Sequence, residues 1–213
     1  MTPPRELDLS TWKRRAHFDF FRAYELPFWN VTVDVDVTGL SARAAAPGGP
    51  SFFLSTLHAA LAAANGVEEL RQRLRGGDRV VVHERIHGGS TVMRPDETFA
   101  FAYFDFVPDY RRFAERASNV LGAVRSSTGP LEPRPERDDL IHFSVLPWIT
   151  FSSFQHARRL ERGDSVPKIV FGRHRESGGR RLMPVSVEVH HALVDGLHVG
   201  RFFEHLQARL DQE

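Results

Sequence analysis

His190 and His191 stand five and four positions ahead of Asp195, and Gly196 follows at once, in Val187-Glu-Val-His-His-Ala-Leu-Val-Asp-Gly196. Imidazole takes and returns protons near neutral pH, so histidines at the end of a strand suggest acid–base chemistry. The residues before them alternate. Val185, Val187 and Val189 share one strand face, and Ser186, Glu188 and His190 share the other. Period two then places His191 with the valines and His190 with the polar set. An imidazole in apolar surroundings resists protonation and stays a neutral base, which selects His191 over His190. Gly196 permits a sharp turn, and Asp195 sits where a helix N-cap would be. Each residue also has a plain structural reading: a hydrogen-bonded strand-end histidine and a capping aspartate. A metal set of His190, His191, Asp195 and His198 departs from His-Glu-x-x-His spacing, and neighbouring strand residues diverge, so no metal site is expected.

Other elements must hold this segment. Gly196 to Leu210 carries Leu197, Phe202, Phe203, Leu206 and Leu210 at helical spacing, which predicts a terminal amphipathic helix. Strands are predicted over 30–38, 79–83, 98–106, 140–151 (broken by Pro147), 168–171 and 183–191. Helices are predicted over 52–64, 68–75 and 109–124, with a short helix or arm over 13–24. Residues 126–139, with three prolines, read as a surface loop rather than a domain boundary. The fold class is therefore α/β (α+β layered), and residues 1–213 form a single domain.

Composition narrows the classes. The chain has 213 residues, 41% hydrophobic, with 17 Phe against 3 Tyr and 3 Trp, which suits a core or pocket with flat apolar walls. A net charge of +1 gives no argument for nucleic acid or an anionic membrane as partner. With no cysteine, disulfides, thiolate metal sites and cysteine nucleophiles are excluded. No stretch approaches the ~20 apolar residues of a membrane span, so a cytoplasmic location is expected.

His190-His-Ala-Leu-Val-Asp-Gly-Leu-His-Val-Gly-Arg-Phe202 closely resembles the active-site signature of the chloramphenicol acetyltransferase family. Its core, His-x-x-x-Asp-Gly, is shared with dihydrolipoyl acyltransferases and peptide-synthetase condensation domains. Ser10-Thr-Trp-Lys-Arg-Arg-Ala-His-Phe-Asp-Phe-Phe21 resembles the N-terminal signature of the chloramphenicol enzymes. His142-Phe-Ser-Val-Leu-Pro-Trp-Ile-Thr-Phe-Ser-Ser-Phe154 resembles their Ser-x-x-Pro-Trp segment. The segments keep the family's order from end to end. Condensation domains need a longer chain, and the lipoyl and linker regions of dihydrolipoyl enzymes have no counterpart here.

The resemblance implies acetyl transfer from acetyl-CoA, a co-substrate rather than a permanently bound cofactor, to a small-molecule hydroxyl in one ternary complex. It implies His191 as general base, Ser144 as hydrogen-bond donor to the tetrahedral oxyanion, and Asp195 as a structural partner of Arg14. It implies a large mixed β-sheet covered by helices, and a homotrimer in which His191 faces an acceptor pocket largely built by the neighbouring chain. For CoA it suggests Trp148 beside the pantetheine arm and Arg173, His174 and Arg175 near the phosphates; for the acceptor it suggests Phe20, Phe21, Phe28, His142 and Val170.

The sequence departs from the family in the acceptor shell. Phe21 replaces a usual Tyr, His142 a usual Asn and Val170 a usual Thr, and nothing near Pro50 matches a CoA-binding Lys. A pocket that loses polar groups rejects its polar substrate by more than one contact energy. Two alternatives follow: the same chemistry on another hydroxyl or amine, or with a longer acyl-CoA, and an inactive trimeric binding protein on the same scaffold.

Overall fold

The computed structural model describes residues 3–158 and 164–212. In chain order the elements are β1 (Arg5–Glu6), α1 (Arg15–Phe21), β2 (Phe28–Asp36), α2 (Thr38–Ala45), α3 (Phe52–Asn65), β3 (Gln72–Arg75), β4 (Arg79–Val82), β5 (His87–Met93) and β6 (Phe99–Phe104). They continue with α4 (Tyr110–Ser126), β7 (Leu140–Leu146), β8 (Lys168–Gly172), β9 (Arg175–Ser177), β10 (Arg180–His190) and α5 (Gly196–Gln212). A single 3₁₀ turn, Glu68–Arg71, precedes β3.

Seven strands form one mixed sheet in the order β2-β10-β8-β7-β5-β6, with β9 pairing the outer part of β10. β7 runs parallel to both β8 and β5, and the remaining pairs are antiparallel. The valine face predicted for β10 is the core face. Val185, Val187 and Val189 are fully buried and join Ile169, Phe171, Ile141 and Phe143 from β8 and β7. α3, α4 and α5 close over this side with Leu57, Leu61, Phe113, Phe202 and Leu206. Each such side chain contributes roughly 1.5–3 kcal/mol on burial.

The opposite face carries Ser186, Glu188 and His190 beside Lys168, Val170, His142 and Ser144. No helix covers it among the described residues; the segment after β7 lies on it instead. Ser186 Oγ donates to Phe154 O at 3.4 Å, and Arg158 bonds both Glu188 and Asp164 (2.8 Å to the latter). β10 is therefore buried on both sides, and its polar row is interior rather than solvated.

The helix predicted over 68–75 is not formed beyond its first turn. Gly76 and Gly77 adopt φ of 64° and 85°, the backbone of a tight hairpin, and fold β3 onto β4. Strand β5 escaped prediction because His-Gly-Gly-Ser-Thr shows no alternation. A Cβ at Gly88 would stand 3.3 Å from Leu61 Cδ1, so a close helix–strand approach occupies that place. No helix is long and apolar enough to cross a membrane among the described residues.

Candidate active site

β10 ends at His190, and His191 opens the turn that leads into α5. The start of β2 clasps this turn at both ends. His191 N–H donates to Pro27 O at 2.7 Å, and Trp29 Nε1 donates to Val194 O at 3.2 Å. Arg14, just ahead of α1, grips the turn from the other side. Its Nη1 and Nη2 donate to the two carboxylate oxygens of Asp195, and Nη2 also donates to His191 O at 3.4 Å. Asp195 occupies the N-cap position, where its backbone oxygen accepts from His198 N and Val199 N at 3.0 and 3.2 Å. Its carboxylate, however, turns to Arg14.

The His191 ring lies flat on Phe21, with centroids 3.8 Å apart and planes 6° from parallel. Trp29 walls a second side at 5.6 Å. Nδ1 sits 3.3 Å from Asp195 Oδ1, buried and without a hydrogen bond among the described residues. The side chain is 33% exposed, so the rest of the ring, with Nε2, is the part that can meet a substrate.

Alternation misjudged the two histidines in one respect. The buried imidazole is His190, which is 4% exposed. Its Nδ1 accepts from Ala192 N at 3.2 Å, and Phe28 meets its ring edge-on at 5.0 Å. Burial, reinforced by the Arg158 cation, lowers its pKa to about 4. His191 lies one residue past the strand, so period two no longer sets its exposure.

Ser144 lies elsewhere in the chain. It is in register with Val170, and Val170 with Ser186, so the three form one row across β7, β8 and β10. His191 is five residues beyond Ser186. At ~3.3 Å per residue and ~4.8 Å per strand, Ser144 and His191 are roughly 19 Å apart, too far to hold one reacting group.

The residues assigned to CoA divide. Arg173 and His174 line an apolar cavity of about 310 Å³ with Phe52, Val145, Pro147 and Phe171. Arg173 N donates to Ile149 O at 2.8 Å, bringing its loop beside exposed Trp148. Arg175 turns away and bonds Asp34 bidentately at 2.9 and 2.6 Å.

The acceptor residues divide too. Phe20 and Phe21 flank Tyr24 in an aromatic group that reaches the surface beside His191. Phe28 instead packs between His190 and Arg158, whose guanidinium carbon stands 3.7 Å from its ring centre. It lines a cavity of about 560 Å³ that includes His190 but not His191. His142 is exposed on β7. Val170 is 0% exposed in the middle of the sheet, between Ser144 and Ser186.

Two site neighbours were not picked out as such. His198 Nδ1 accepts from Asp195 N at 2.9 Å, and its Nε2 lies 3.4 Å from Glu69 Oε1. His198 stands three residues after Asp195, the capping-box spacing, which could have flagged it. Glu69 has no local signal, since the fold alone brings it there.

The family model described as chloramphenicol acetyltransferase matches residues 4–207. The chain belongs to the chloramphenicol acetyltransferase family. A chloramphenicol acetyltransferase of Streptomyces acrimycini is 32% identical over 208 residues, covering 97% of this chain and 94% of the relative. Chloramphenicol acetyltransferase 3 of Escherichia coli is 29% identical over 204 residues, covering 95% and 94%. A solved chloramphenicol acetyltransferase superposes with a TM-score of 0.86 at 28% identity, over 98% of this chain and 100% of the other. The acetyltransferase fold extends further: a dihydrolipoamide acetyltransferase of Azotobacter vinelandii gives a TM-score of 0.67 at 17% identity, over 92% and 86%.

Proposed function

We propose that this chain works as a single domain that moves the acetyl group of acetyl-CoA to a hydroxyl of chloramphenicol or a close relative, with His191 as general base. The observation that carries the reading is the His191 turn: a half-exposed imidazole fixed by Phe21 and faced by Asp195, in a chain-wide family match. The Asp195 carboxylate favours the tautomer with its proton on Nδ1, which leaves the Nε2 lone pair free. Nε2 takes the acceptor hydroxyl proton as that oxygen attacks the thioester carbonyl. A tetrahedral oxyanion forms, and the Ser144 hydroxyl donates to it. Collapse breaks the C–S bond, and the imidazolium returns the proton to the CoA thiolate. The apolar cavity along Phe52 and Phe171 suits the pantetheine arm, with Arg173 and His174 nearest its phosphates.

The reading requires more than one chain. Ser144 and His191 of the same chain are too far apart to share an oxyanion, whereas Ser144 is half-buried beside exposed His142 at the β7 part of a sheet face that no helix covers among the described residues. A closed trimer, with that face presented to a neighbour's His191, brings them together.

The test is release of CoA thiol from acetyl-CoA with chloramphenicol as acceptor. The native protein turns over, and His191→Ala loses roughly 10²–10⁴-fold in kcat, the usual share of a general base. No turnover with any hydroxyl or amine, or an unaffected His191→Ala, would sink the reading. One observation favours a different acceptor: Phe21 presents a bare ring where a hydroxyl would help hold chloramphenicol. Turnover of another alcohol with chloramphenicol inert would select that version.

A further inference from the structure

We infer that His198 is a positioning residue for His191: held by Glu69, it locks the backbone of Asp195 and so the turn that carries the base. The inference rests on His191 being that base.

Four groups close the arrangement. Asp195 N–H donates to His198 Nδ1 at 2.9 Å, so the ring proton is on Nε2. That Nε2 faces Glu69 Oε1 at 3.4 Å from the 3₁₀ turn. Glu69 also acts electrostatically on Arg14, whose guanidinium holds the Asp195 carboxylate and His191 O. Asp195 is therefore fixed at its N–H by His198, at its carboxylate by Arg14 and at its oxygen by α5. In a capping box the third helical residue returns a hydrogen bond to the N-cap N–H, ordinarily from Glu or Gln. Here a histidine does it, and a histidine can lose the ability. Protonated His198 carries N–H on both nitrogens, and its Nδ1–H would oppose Asp195 N–H.

The groups facing His198 are Glu69 from the 3₁₀ turn, Arg14 from ahead of α1, Arg201 from its own helix and the Asp195 backbone. Burial lowers the His198 pKa, Glu69 opposes the shift, and Arg14 and Arg201 reinforce it. The lock is thus closed at neutral pH and opens only in acid.

Steady-state kinetics with acetyl-CoA and chloramphenicol, beside thermal unfolding, test this. His198→Leu removes the acceptor and Glu69→Ala removes its partner; each should lower kcat several-fold, up to ~10-fold for a lost hydrogen bond, with both KM values within about twofold. His198→Asn, whose Oδ1 can take the place of Nδ1, should restore most of kcat. Because it no longer titrates, the acid limb of its kcat profile should be less steep. If His198→Leu does not fold, Glu69→Ala against Glu69→Gln makes the same comparison at a partly exposed position. Unchanged kcat in these variants, or losses that track the unfolding temperature with no rescue by Asn, would overturn the inference. His191→Ala separates the two claims. If it is inactive while the His198 variants are intact, only the lock is wrong; if it is active, the base itself is misassigned.

Discussion

Asp195 gives its carboxylate to Arg14 and leaves the first N–H groups of α5 without it, although its backbone stands at the N-cap position. Asp caps are favourable by about 1 kcal/mol, so the ion pair takes precedence over a cap that was available. That choice costs the helix and ties two distant segments to His191.

The two partners should therefore fail differently. Arg14→Ala frees the Asp195 carboxylate to swing onto α5 and regain part of the lost stability as a cap. Asp195→Ala strands a largely buried guanidinium, which has no such refuge. Urea unfolding should show Asp195→Ala as the more destabilised, by roughly 1–3 kcal/mol relative to Arg14→Ala. Both should lower kcat, since each releases the His191 turn. Equal stabilities would mean that the carboxylate does not move.

The separation of Ser144 and His191 makes a prediction about mixtures. His191→Ala and Ser144→Ala chains should each be nearly inactive, the latter by ~10²-fold or more. Unfolded together in equal amounts and reassembled into the proposed trimer, they should give some interfaces that combine an intact His191 with an intact Ser144. Random assembly gives about a quarter of interfaces that character, so about a quarter of native activity should return. A mixture no more active than its parts would place both residues in one chain's site and refute the interfacial arrangement.

How far the chain can be read without coordinates depends on which residues speak locally. The alternating valines of β10, the apolar spacing of α5 and the amphipathic helix α4 were legible, because period is a short-range property. β5 was not, since its glycines answer to Leu61 across the core. The strand at Gln72–Arg75 was hidden by helix-forming residues and betrayed only by Gly76–Gly77. In the site, the pairing of Arg14 with Asp195 came from resemblance, as no local spacing could show a pairing across a separation of 181 positions. The burial of His190 was missed because a polar strand face reads as solvated. Here a later segment, carrying Phe154 and Arg158, lies on it.

Phe21 sets a test of acceptor choice. Its ring already stacks on His191, so Phe21→Tyr keeps the stack and adds one hydroxyl at the edge of the acceptor space. If chloramphenicol is the acceptor, the added hydrogen bond should raise kcat/KM by up to ~10-fold, mainly through KM. If kcat/KM falls or stays level, the pocket is shaped for a less polar acceptor, and a panel of apolar alcohols should then compete.

His190 makes the protein sensitive to acid independently of catalysis. Its pKa is about 4 in the folded chain, against 6.5 for a free histidine. Above 6.5 both states are neutral and the stability is complete. As pH falls from 6.5 towards 4 the unfolded chain takes up the proton first, so stability declines by about 1.4 kcal/mol per pH unit. Between pH 7.5 and 5.5 the loss should be about 1.4 kcal/mol. His190→Asn can still accept from Ala192 N and does not titrate, so it should lack this part of the decline. His156, also lowered to about 4 by burial, is present in both proteins and cancels in the comparison. Urea unfolding of each at the two pH values measures the difference. Parallel losses in the two proteins would show that His190 can be protonated without leaving its place beside Phe28.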